Sequence, residues 1–179
     1  MTNSQRRGTR AQPLSVTPLT DHAVALLCER GLRKHDTEEC YIAGRSPCAA
    51  LKERLTGHGP SYAVWGLVDG YPKPVGAIGI ATDPWNPTAA AIWSLWTDDL
   101  DGAMKRCIFR NTRDWVVRLM DEAGVNYAAN YVLDTNRLAV RWIKSSGCFH
   151  LNERTHKVGE AGRHMRYFWT RTLSELTRV

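Results

Sequence analysis

Trp96-Thr97-Asp98-Asp99-Leu100-Asp101-Gly102-Ala103-Met104-Lys105-Arg106-Cys107 (WTDDLDGAMKRC) leaves an apolar run of strand length, turns through a glycine and enters a long amphipathic segment. Downstream, Cys107, Ile108, Trp115, Leu119 and Met120 recur at helical spacing, with Arg106, Arg110, Arg113 and Arg118 elsewhere on the surface. This pattern predicts a helix over residues 103–122, ended by Gly124. Upstream, SYAVWGLV (61–68), VGAIGIAT (75–82) and AAAIWSLWT (89–97) are short, apolar and rich in β-branched or aromatic residues. The breaks between them, DGYPKP and DPWNPT, are turn chemistry, so the three runs predict an antiparallel meander. The quoted stretch is therefore a strand-to-helix turn, where a helix N-terminus can hold an anion.

Further out, LSVTPL (14–19) predicts a short strand, and Thr20 or Asp21 caps a helix carrying Val24, Leu26, Leu27 and Leu32. GLRKHDTEEC (31–40) is polar and is expected to be a bend or broken helix, before Ser46-Pro47 opens a second helix that stops at Gly57. After the long helix, NYAANYVL (126–133) predicts a strand, and Asp134-Thr135-Asn136 caps a helix reaching Ser146, with Gly147 as terminator. CFHLNERT (148–155) and RHMRYFWT (163–170) then form a closing hairpin, with Met165, Tyr167 and Trp169 on one face.

At 179 residues, with 43% hydrophobic and 23% charged, the chain suits one buried core. It divides into a basic N-terminal arm (1–13), one domain (14–170) and a C-terminal tail (171–179). No apolar run is long enough for a membrane span or signal segment, so a soluble protein made in a cytoplasm is expected. Five cysteines without CxxC spacing are expected as reduced, packed thiols. The cluster Cys28, His35, Cys40 and Cys48 matches no common zinc pattern, so no metal is expected. The net charge of +6, with Arg6, Arg7 and Arg10 in the arm, suits an anionic partner, but no nucleic-acid-binding motif accompanies it.

NRLAVRWIKSSGCF (136–149) places Asn136, Ala139 and Gly147 at the offsets of a known late-helix motif before a short strand. Together with the order of elements, the chain resembles the GNAT (Gcn5-related N-acetyltransferase) superfamily from about Leu14 to Thr170. The resemblance implies an α/β fold: a mixed, mostly antiparallel sheet of about six or seven strands, splayed near its middle and flanked by about four helices. LWTDDL with a basic helix, then NYV, DTNR and RWIKSSGCFH, further resembles small acetyltransferase-like proteins of tailed phages, including internal virion or morphogenesis proteins.

GNAT enzymes lay the diphosphate of acetyl-CoA on the amides that open the long helix. By that resemblance the cofactor positions would be Leu95, Trp96, Thr97, Gly102, Ala103, Lys105, Arg106 and Asn136. The motif itself is eroded: Asp99 stands where the family has Arg or Gln, Met104 replaces its final small residue, and Gly102 alone survives. Asp98, Asp99 and Asp101 would repel a diphosphate, with Asp99 or Asp101 capping the helix in its place, while Lys105 and Arg106 could reach back as phosphate ligands or else stay solvated or pair with those acids. Ile143 occupies the position of the family's usual Tyr acid, and no catalytic residue is assigned.

The first expectation is accordingly a phage protein with degenerate acyl-CoA motifs and no cofactor. It would contact other phage structural proteins through the basic arm and exposed aromatics, in the host cytoplasm or virion. The alternative is an active acetyl-CoA-dependent N-acetyltransferase modifying a host protein or small amine. A nucleic-acid accessory role would explain the charge and little else.

Overall fold

The computed structural model describes residues 14–160 and 162–178, the side chains of residues 86–89 apart. The basic arm expected over residues 1–13 lies outside the described residues. Chain order is β1 (Ser15–Pro18), α1 (Asp21–Arg30), α2 (Lys34–Ile42), α3 (Pro47–Thr56), β2 (Ser61–Val68), β3 (Tyr71–Asp83), β4 (Asn86–Trp96), α4 (Gly102–Ala123), β5 (Ala129–Leu133), α5 (Arg137–Ser145), β6 (Phe149–Val158), β7 (Arg163–Thr170) and α6 (Leu173–Thr177). The strands form one sheet in the order β1-β2-β3-β4-β5-β7-β6. Every neighbouring pair is antiparallel except β4 and β5, which run parallel and meet at the single pair Ala91–Ala129. Beyond that pair they diverge, and the Asn130 side chain bridges the start of the gap by donating Nδ2–H to Ile92 O at 2.8 Å.

Two cores line the two faces. On one, α1, α2 and α3 bring Leu27, Cys40 and Leu51 onto Ala63, Ala77, Trp93 and Leu95. On the other, α4 and α5 bring Met104, Ile108, Val116 and Ile143 onto Val64, Ile78, Ile92 and Trp96. Trp93 and Trp96 thus point to opposite faces, and the cross-strand glycines of VGAIGI explain how both lie flat. A Cβ on Gly79 would fall 2.6 Å from Trp93 Cζ2, and one on Gly76 would fall 2.3 Å from Trp96 Cε3. Each ring needs the bare backbone opposite it.

The expected helix starts hold chemically. Thr20 accepts from Ala23 N, Ser46 from Ala49 N, Asp101 from Met104 N and Asn136 from Ala139 N. Two helices exceed expectation. Residues 34–42 form α2 where residues 31–40 were expected as a bend or broken helix, and residues 171–179, expected as a tail, contain α6 with Leu176 buried. Arg113 fastens α6 to α4 by donating Nε–H and Nη2–H to Leu176 O at 2.8 and 2.6 Å. No helix among the described residues is long and apolar enough to cross a membrane.

Candidate functional site

The divergence of β4 from β5 opens a cavity of about 790 Å³ that reaches both faces of the sheet. Its wall on the α4–α5 side carries Lys105, Arg106, Arg110 and Arg141, while α2 and α3 contribute Asp36, Glu39, Cys40 and Arg54.

The α4 mouth begins at the quoted turn, where the three aspartates take separate roles. Asp101 is the cap, its Oδ1 accepting from Met104 N at 2.7 Å. Asp99 is turned to Arg30, which donates Nε–H to its Oδ2 at 2.8 Å, and Thr97 Oγ1–H donates to the same oxygen. The Arg30 hydrogen bond holds the Asp99 carboxyl below the usual carboxylate range. Asp98 is exposed. Lys105 and Arg106 form no ion pair among the described residues. Instead, a Cβ on Gly102 would lie 3.3 Å from Arg106 Nη1, so this guanidinium folds back over the first helical residue. The first helical amides have no partner within a helix. Asp101 satisfies that of Met104, which leaves those of Gly102 and Ala103 beside a cation.

The strand end is committed differently. Trp96 N–H donates to Asp36 Oδ2 at 3.0 Å, and Trp96 O accepts from Arg33 N at 2.8 Å, so the start of α2 closes that part of the free edge. Thr97 N–H is spent on Val75 O. Leu95 is buried in register with Ala77. Because alternate residues of a strand point their main-chain groups the same way, Ser94, two residues before Trp96, turns its N–H and C=O to the gap, where it lines the cavity. Asn136, 2% exposed, caps α5 with Oδ1 and donates Nδ2–H to Glu39 Oε1 at 3.2 Å. Ile143 is buried and has no proton to give.

Sequence reasoning missed the carboxylates of α2. Asp36 is gripped by Arg33 at 2.7 and 2.9 Å, and burial raises its pKa despite that partner. Glu39 Oε1 accepts from Leu133 N at 3.0 Å as well as from Asn136, and burial pushes Glu39 up to about 7. Its Oε2 makes no hydrogen bond among the described residues, and the side chain lines the cavity. A carboxyl balanced near neutrality can accept a proton and give it up again. The available signal was DTEE itself, two acids three residues apart, which a helix places on one side.

A splayed seven-stranded sheet with its longest helix entered from the strand at the split defines the GNAT fold, and the chain has it. Among solved structures, the chain is similar to the aminoglycoside acetyltransferase AAC(6')-Ib in complex with coenzyme A, at 19% identity and TM-score 0.62. That match covers 93% of this chain and 100% of that one. It is similar also to spermidine N-acetyltransferase from Vibrio cholerae in complex with CoA and spermine, at 10% identity and TM-score 0.62, covering 91% and 97%. A GCN5-related N-acetyltransferase from Brucella melitensis matches at 13% identity and TM-score 0.62, covering 90% and 76%. No protein-family model and no curated protein sequence matches the chain.

Proposed function

We propose that the protein is an acyl-CoA-dependent N-acyltransferase acting on an amine, the alternative that the sequence held behind a virion role. The observation that carries this reading is Glu39, a cavity-lining carboxyl raised to about 7 where β5 leaves β4. Solved neighbours that carry coenzyme A support the same direction.

The residues present fit a polyanionic cofactor. Four cations (Lys105, Arg106, Arg110 and Arg141) line one mouth, two amides at the start of α4 are unclaimed by its cap, and the Ser94 edge stays open. The fit departs from the resemblance at Trp96 and Thr97, whose amides are taken, and at Asn136, which serves Glu39. Bound there, acetyl-CoA would supply the acyl group to the amine nitrogen; its thioester C–S bond would break, and coenzyme A would leave as a thiolate that takes up the proton released by the amine. Lys105 and Arg106 neutralise phosphate charge, as the eroded turn requires. Asn136 and Leu133 N hold Glu39 Oε1 still, so that Oε2 takes the proton from the incoming amine. Ile92, Leu95, Ile108 and Phe168 supply apolar wall to the same cavity.

The test is a pH profile of acyl transfer from acetyl-CoA to a panel of amines. The expected kcat/KM rises through about pH 7, and Glu39→Gln lowers the plateau by roughly 10²-fold or more while coenzyme A binding is unchanged. Equal plateaus for the two proteins would remove Glu39 from the chemistry.

A further inference from the structure

The cavity's α2–α3 end holds a cation that forms no ion pair among the described residues. Arg33 is paired with Asp36, and Arg45 with Glu53 at 2.7 Å. Arg54, on α3, makes no ion pair and donates no hydrogen bond from its guanidinium among the described residues, although it lines the cavity. Its Cζ lies over the Trp93 ring, 5.7 Å from the centroid. That indole is 8% exposed, and its Nε1–H also lacks an acceptor among the described residues. Burial lowers the Arg54 pKa from the usual guanidinium value, outweighing the opposing pull of the neighbouring Glu53 carboxylate, which is itself bonded to Arg45. A guanidinium carries five donors in a fixed fork, and leaving them unmet in a half-buried wall is costly unless a ligand meets them.

Arg54 and Glu39 line the same cavity, as does Cys40, which adjoins Glu39 on α2. The Cys40 thiol is driven up to about 11, first by burial and then by the charges of Asp36 and Glu39, while Arg54 and Arg45 pull it down. From this arrangement, and resting on the acyl-transfer reading above, we infer that the acceptor is an amine bearing its own carboxylate, of the amino-acid type. Arg54 takes the carboxylate through its fork, and the amino group is presented to Glu39. The planar match of guanidinium to carboxylate makes this a site for an acid and against its amide, which offers one acceptor oxygen and no charge. A purely cationic amine would meet Arg54 as a like charge, so polyamines are disfavoured here even though the fold hosts them elsewhere.

The experiment measures binding without any acyl donor, by thermal shift and ligand-observed NMR, for the common amino acids, each beside its amide. The account expects at least one acid to bind roughly tenfold or more tightly than its amide. Arg54→Gln should abolish that preference, and Arg54→Lys should keep part of it through charge alone. Coenzyme A affinity, measured on the same variants, should stay at the wild-type value, which also reports that they are folded. Equal binding of acids and amides, no binding of either, or an unchanged preference in Arg54→Gln overturns the proposal. Failure of the acyl-transfer reading shows separately, as absence of coenzyme A binding to the wild-type protein.

Discussion

Glu39 and Asp101 are the two acids whose positions decide the chemistry, and each predicts something measurable. The pKa of Glu39 in the folded chain, about 7, lies above the ordinary glutamate value of 4.5. The folded state therefore holds the extra proton between those values. The stability this contributes is complete below about 4.5 and is lost as pH rises through 7. Glu39→Gln keeps an acceptor oxygen for Leu133 N and Asn136 but cannot ionise. Its stability relative to wild type should improve by about 3 kcal/mol between pH 4.5 and 8, measured by urea unfolding across that range; parallel pH dependence in the two proteins would contradict the burial argument. Asp101 is both cap and nearest acid to the helix mouth. Asp101→Asn preserves the cap and removes the charge, so Tm should hold while coenzyme A affinity rises several-fold, about 1 kcal/mol, in a calorimetric titration.

At the scale of elements, Gly76 and Gly79 on β3 are the tightest points of the sheet, each facing a tryptophan of β4. Gly79→Ala drives a methyl into Trp93 Cζ2 and Pro60 O, both at 2.6 Å, and should cost about 1–3 kcal/mol in chemical denaturation, whereas alanine at Gly70, open on all sides but at φ 81°, strains only the turn. Arg113→Ala should release α6 and raise amide exchange over residues 173–177, with little change in the central strands. The elements legible in the sequence were those with strong local signals: the meander, with its alternating and apolar runs; α4, with its capped amphipathic face; and the closing hairpin. The helix α2 was not legible, because KHDTEECYI has neither a side-chain cap nor an apolar stripe. It is held by long-range bonds from Asp36 to Trp96 and from Glu39 to Leu133, partners 60 and 94 residues away, which no local pattern encodes. The candidate base and half of the cavity wall went unread for the same reason. At the quoted turn the capping aspartate was legible, and Asp101 fills that role, but the direction of Asp99 was not, because Arg30, 69 residues away, draws it out of the cluster.

For the whole molecule, the unequal treatment of its two halves is what makes a site. Strands β1 to β4 and β5 to β7 are each well paired within themselves and share one residue pair, so the sheet opens without breaking either core. Four cations line the cavity at the α4–α5 mouth, and Arg54 lines its far side. A polyanion entering from one side and an acid-bearing amine from the other would meet at Glu39. Cofactor recognition should then depend on Lys105 and Arg106 and weaken with salt, because the turn supplies few neutral contacts. The most direct measurement is calorimetric titration of the wild-type protein with coenzyme A over a salt series, repeated with Lys105→Ala/Arg106→Ala. The account predicts one site per chain, affinity that falls steadily as salt rises, and a loss of roughly tenfold or more in the double variant. Absence of binding at the lowest salt, or binding indifferent to both lysine and arginine, would contradict it.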